Sequence, residues 1–275
     1  YAMTDLADHS WQSMTTAEAR DIGQADPVVI LPVAAIEQHG PHLPLSTDLD
    51  IGMGILDKAF TYLPLNFPVW VLPTQVIGTS AEHLTFPGTL SIDANLLDDL
   101  ILAQGKALAR SGIRRLLVTN SHGGNRQAID AAALRLRRAL GLLVIKSNYF
   151  LFPRPPGVTL PDTEWRHGLH GGAVETAMML HLRPDLVRTQ QLLDAPSLGQ
   201  LLEQTLDHVD TTNEGASLAW LAEDLHSSGV VGNSTLATAS IGQHLVDGYG
   251  RMLSEIIRDT KNFPLDRLMN DDRTK

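Results

Sequence analysis

The run Val28-Val29-Ile30-Leu31-Pro32-Val33-Ala34-Ala35-Ile36-Glu37-Gln38-His39-Gly40-Pro41-His42-Leu43-Pro44-Leu45-Ser46-Thr47-Asp48 decides how the whole chain is read. Its first seven residues, 28–34, form an apolar stretch that predicts a buried strand. Beyond it the chemistry changes abruptly. In extended backbone, side chains two residues apart point the same way, so Glu37 and His39 converge while Gln38 faces away. Gly40 and Pro41 turn the chain, and nine residues after His39 the carboxylate Asp48 can return to the same point. One imidazole and two carboxylates suit Zn²⁺, Mn²⁺ or Fe²⁺.

Outward from this run, apolar strands alternate with helical patterns. Further strands are expected at 69–73, 114–119 and 142–146. Helices are expected at 50–60, 93–111, 125–140, 172–182 and 238–261, with a weaker one at 198–208. In the helix at 93–111, Leu96, Leu97, Leu100, Ile101, Ala107 and Leu108 form one stripe, and Gly112 ends it. This alternation implies an α/β fold, three layers αβα with a mostly parallel central sheet. One domain over 1–275 is expected, with its core at about 28–190 and a C-terminal helical region at about 195–265. The proline-rich stretch 152–161 reads as a structured loop. In open parallel sheets, ligands bind beyond the carboxyl ends of the strands. The polar motifs follow the first and third strands, as that rule requires.

Bulk properties exclude several classes. Net charge is −10, from 21 basic and 31 acidic residues, which disfavours a phosphate backbone as partner. The basic clusters Arg114-Arg115 and 134–138 read as solvated faces. No stretch approaches the roughly 20 apolar residues of a membrane span. No secretory signal is visible, and Tyr1-Ala2-Met3 reads as preceding a natural start at Met3. The absence of cysteine removes disulfides, thiolate ligands and a cysteine nucleophile, and fits a cytoplasmic location. Eleven histidines stand against four tyrosines. Of these, His9, His181, His208, His226 and His244 read as surface or capped residues, and His42 as a residue that orients His39.

Three more segments carry chemistry. Thr119-Asn120-Ser121-His122-Gly123-Gly124-Asn125 puts His122 just beyond the third strand, with Asn125 as a helix cap. His167-Gly168-Leu169-His170-Gly171-Gly172-Ala173-Val174-Glu175-Thr176 sets His170 before a helix whose first amides could receive an oxyanion. Glu175, in its first turns, reads as a metal ligand or proton-transfer group. Gly78-Thr79-Ser80-Ala81-Glu82-His83-Leu84-Thr85-Phe86-Pro87-Gly88-Thr89 is a loop in which Ser80, Glu82 and His83 could line a substrate pocket, with Gly123 and Gly171.

Taken together these segments resemble the creatininase (creatinine amidohydrolase) family. The resemblance rests on Glu37-Gln38-His39-Gly40-Pro41-His42-Leu43-Pro44 with Thr47-Asp48, Phe86-Pro87-Gly88-Thr89, Asn120-Ser121-His122-Gly123-Gly124-Asn125 and His170-Gly171-Gly172-Ala173-Val174-Glu175-Thr176. It implies an αβα domain, a homohexamer, and one or two divalent metals per subunit. Glu37 and His122 would hold one metal, His39 the other, and Asp48 would bridge them. Creatininase itself carries a glutamate where this chain has Gly124, which Glu175 or water would replace. Tyr149 and Trp165 lie in the loop where creatininase has substrate-binding tryptophans, but Arg166, Leu169 and Gly123 do not reproduce that pocket. The Gly-Gly form looks more like branches that include a formamidopyrimidine deformylase and a mycofactocin precursor peptidase.

The implied activity is a metal-dependent amidohydrolase. Water would attack a carbonyl attached to nitrogen in a small amide, cyclic amide or formamide, and His170 would pass a proton to the leaving nitrogen. Two rivals stand beside it. A metallophosphoesterase would need cations such as Arg126, Arg154 and Arg166 at the site, and a non-catalytic metal or small-ligand binding protein could use the same scaffold.

Overall fold

The computed structural model describes residues 7–212 and 215–268, so Tyr1-Ala2-Met3 lies outside them. In chain order the elements are α1 (Thr16–Arg20), β1 (Val28–Val33), α2 (Thr47–Phe60), β2 (Val69–Val71), α3 (Ala94–Arg110), β3 (Arg115–Asn120), α4 (Arg126–Leu140), β4 (Leu143–Asn148), α5 (Asp162–His167) and α6 (Ala173–Leu182). They are followed by β5 (Asp194–Ala195), α7 (Leu198–Leu202), β6 (Val209–Asp210), β7 (Ala216–Ser217), α8 (Ala222–Leu225), β8 (Gly232–Asn233) and α9 (Ala239–Asn262).

The main sheet runs β2-β1-β3-β4, parallel throughout. Alternation along β1 explains the layers. Val28 and Ile30 face a core shared with α2, α6 and α9, whereas Val29, Leu31 and Val33 face one shared with α3 and α4. Both faces of β1 are therefore buried, which is why its sequence is continuously apolar rather than alternating. The four strands fall where the sequence places them.

The far end of β1 and β3 is tied to the end of α9. Arg115, 6% exposed, donates through Nε to Asp26 and through Nη1 to the carbonyls of Thr260 and Phe263.

In the last third, the helix expected at 238–261 is found as α9, but the weaker one before it is cut short. The helix expected at 198–208 is confined to Leu198–Leu202, and the region around it consists of two-residue strands and short turns rather than helices. The physical reason is that Leu198 and Leu202 are half-buried, whereas Leu206 beyond them finds no face to bury and remains exposed. The short helices α1, α5 and α8 were not anticipated.

Candidate metal centre

The site gathers at the carboxyl ends of β1 and β3 and at the start of α6. Past β1 the chain stays extended, and a bridge from Ile36 to Leu90 holds it. Glu37 and His39 then enter the interior, both fully buried. Gly40 makes the turn at φ +68, a conformation that suits glycine. Asp48 returns in the first turn of α2, and His122 follows β3 directly.

These residues meet closely. His122 Nδ1 lies 3.2 Å from Glu37 Oε1 and 3.6 Å from Asp48 Oδ2. His39 Nε2 lies 3.6 Å from Asp48 Oδ1 and 3.9 Å from Glu175 Oε2. Among the described residues, three groups have ligand atoms within 4.8 Å of one another: Glu37, Asp48 and His122; His39, Asp48 and Glu175; and Glu37, His39 and His170. Asp48 belongs to two of them.

Backbone carbonyls fix the imidazole tautomers, because a carbonyl can only accept. His39 Nδ1 donates to the Glu37 carbonyl at 3.1 Å, His122 Nε2 to that of Thr79 at 2.8 Å, and His170 Nε2 to that of Gln38 at 2.6 Å. Each ring therefore turns its second nitrogen toward the carboxylates, as an oriented metal ligand does. His83 is different. Its Nδ1 accepts from the Gln38 amide at 2.8 Å, so its proton sits on Nε2, 3.4 Å from Glu37 Oε1. His83 turns this N–H toward Glu37 without completing a hydrogen bond to it. The rings of His39, His170 and His83 stack in series at centroid distances of 4.1 and 4.3 Å.

The charges shift one another. Burial alone would lower His122 and His39, but the carboxylates outweigh it: Glu37 above all raises His122 to about 10, and Asp48 raises His39 to about 9. Burial raises Glu37, yet His122, His83 and His170 hold it well below the usual carboxylate range. Burial pushes Glu175 up to about 7 and raises Asp48. Burial, and then the charges on His39 and His83, hold His170 well below an ordinary imidazole.

Several expectations need correction. The hydrogen bond that His42 makes is not to His39: its Nε2 pairs with Thr176 Oγ1 at 2.9 Å and ties the first loop to α6. Asn125 stands at the start of α4 but makes no capping bond. Its Oδ1 accepts from the Thr79 amide, and its Nδ2 donates to the Ala34 carbonyl. Three loops thus converge on one side chain. Gln38 faces away from the carboxylates but is engaged with His83, the Gly229 carbonyl and the Gly40 amide. Two amides at the entry to α6 are already taken: Glu175 accepts from Gly171 at 2.6 Å, and Glu164 accepts from Ala173 at 2.6 Å.

Among the expected pocket residues, Gly123 is exposed with open space where a side chain would be, whereas Gly171 and Ser80 are buried. Glu82 lies 3.5 Å from His122 Nε2. A Cβ at Gly124 would sit 2.3 Å from the Thr79 carbonyl oxygen, 2.5 Å from His122 and 2.6 Å from Glu82, so this position admits no side chain. Arg154 is engaged by Asp162 and the Trp165 ring, and Arg166 by Glu203, which leaves both occupied elsewhere. Glu164 and Gln38 were missed as organising residues. The only sequence signal for Glu164 was the density of glycines after it.

The sequence matches the family described as Creatininase: Creatinine amidohydrolase over residues 12–257. It is 31% identical over 237 residues to the mycofactocin precursor peptide peptidase of Mycolicibacterium smegmatis, covering 84% of each chain. It is 31% identical over 194 residues to the creatinine amidohydrolase of Pseudomonas putida, covering 65% of this chain and 73% of that one. A crystal structure of creatinine amidohydrolase superposes with TM-score 0.75 at 24% identity, over 93% of this chain and 98% of that one. A structure named "Creatininase Mn" gives 0.74 at 25% identity, over 93% and 99%. The matched span contains the whole cluster around Glu37 and the strands that carry it, and the chain belongs to the creatininase family of amidohydrolases.

Proposed function

We propose that the chain hydrolyses an amide-type C–N bond with one or two divalent cations held by Glu37, His39, Asp48, His122 and Glu175. One observation carries this reading. Both oxygens of Glu37, His39 Nε2 and Asp48 Oδ2 are buried without a hydrogen-bond partner. Orphaned charged atoms are costly unless something compensates them, and a mixed carboxylate and imidazole set fits a divalent cation. Such a cation supplies Lewis acidity, polarising a carbonyl and lowering the pKa of water from about 16 to near 7.

The chain's own side chains would do the rest. His170, with its proton fixed on Nε2, offers Nδ1 as the acceptor that collects a proton and delivers it to the leaving nitrogen. Glu175, hydrogen-bonded to the Gly171 amide, would serve as ligand or base. His83 would hold Glu37 in place, and the open space at Gly123, with Ser80, Gly171 and Glu82 beside His122, would admit a small amide. A peptide amide joins the candidates because relatives are named for a precursor-peptide peptidase. The engagement of Arg154 and Arg166 elsewhere argues against a phosphoesterase. Zn²⁺, Mn²⁺ or Fe²⁺ as the ion, a homohexameric assembly and a cytoplasmic location complete the proposal.

Elemental analysis followed by turnover on amides, lactams, formamides and short peptides tests it. At least one metal per chain and a hydrolysis that chelation abolishes are expected. A metal-free protein that cannot be loaded would end this reading.

A further inference from the structure

Glu164 lies in α5 and is 4% exposed, outside the groups assigned above. Its Oε1 accepts from the Ala173 amide at 2.6 Å, where α6 begins, and its Oε2 accepts from the Asn233 amide at 2.8 Å in β8. Three glycines make room for it: a Cβ at Gly168, Gly172 or Gly232 would lie 2.4, 2.5 or 2.7 Å from Oε1.

The two amides belong to the two segments that frame the metal centre. Ala173 leads into the first turn of α6, which carries Glu175. Asn233 stands two residues from Val231, which is paired to His170 in both directions, at 3.2 and 2.7 Å. A carboxylate at a helix start is favoured by the helix dipole. Capping alone, however, explains neither the second bond to a separate segment nor the three glycines.

We propose that Glu164 is a positioning residue. By taking the Ala173 and Asn233 amides it fixes the backbone from which His170 and Glu175 project, and it leaves the Gly171 amide to Glu175. The inference rests on the reading of Glu175 as a metal ligand.

Cobalt(II) titration of the full chain, followed by visible absorption, tests it. Glu164→Gln keeps the shape but turns an amide NH₂ toward a backbone N–H. Cobalt affinity at the His39, Asp48 and Glu175 group should fall about 10- to 100-fold, the usual consequence of losing a group that orients a ligand. A carboxylate that only stabilises the helix would lower Tm and leave the cobalt constant unchanged, and that result overturns the proposal. Gly172→Ala gives an independent approach. Its backbone, at φ −76 and ψ −162, accepts alanine, so the principal obstacle is Glu164. It should weaken cobalt binding alone yet add little to Glu164→Ala, because both break one contact. Additive losses would overturn the proposal. If the unaltered protein took up no cobalt, the reading of the metal centre would fall first and this inference with it.

Discussion

The two halves of the candidate metal centre are built differently. Glu37, Asp48 and His122 come from the ends of β1, β3 and the start of α2, and all three are buried. The other half borrows Glu175 from α6, whose side chain is 17% exposed and whose position depends on the Gly171 amide. The first half is set by the central sheet. The second is assembled from a segment held by hydrogen bonds to loops. In a parallel sheet, residues just past the strands inherit the rigidity of the core, whereas a helix start is only as fixed as the groups that cap it.

Asp48→Ala should break both halves at once, since Asp48 belongs to both. Bound metal should fall to background and turnover should be lost, and elemental analysis alongside kinetics checks this. His39→Ala should likewise remove activity, with metal falling in parallel. Full turnover in either variant would refute the assignment.

Glu175→Gln should separate the halves. It removes a ligand only from the second, so the Glu37, Asp48 and His122 group should keep its metal while turnover drops on the order of 10² to 10⁴-fold, the scale of a lost proton-transfer group. Loss of all metal would show that the two halves are not independent.

Acidity sharpens the comparison. In metal-free protein, His39 is raised to about 9 and His122 to about 10, both above their ordinary 6.5. The stability they contribute is complete below about pH 6.5 and is lost as pH rises through 9 and 10. Glu175, raised to about 7, acts in the same direction from about pH 4.5 upward. Calorimetry of chelated protein should therefore show Tm falling between pH 6.5 and 10. Metal-loaded protein should resist that fall, because binding releases the same protons.

The smallest effect belongs to Gly124. Gly124→Ala forces a methyl against the Thr79 carbonyl and His122, and should cost about 1–3 kcal/mol by overpacking. Denaturant melts measure this.

Much of the site was legible because its residues are close in sequence to strands that announce themselves. The Glu37 to Asp48 run needed only strand geometry and a turn, and His122 needed only its position after the third strand. Asn125 was misread because an amide's choice between its own helix and two distant loops is settled by tertiary contacts. Glu164 was invisible for the same reason, since its two partners lie 9 and 69 residues away. The stretch 203–208 was misjudged because helical propensity without an apolar face does not sustain a helix.

Arg115 has a consequence for how the sequence can drift. It grips the tail of α9 through two main-chain oxygens rather than through side chains. Mutations around Thr260 and Phe263 can therefore alter those side chains and leave the anchor intact. Lysine at 115 could not serve, because a single ammonium cannot span Asp26 and both carbonyls in one fixed fork. The fastening tolerates variation on one partner and almost none on the other.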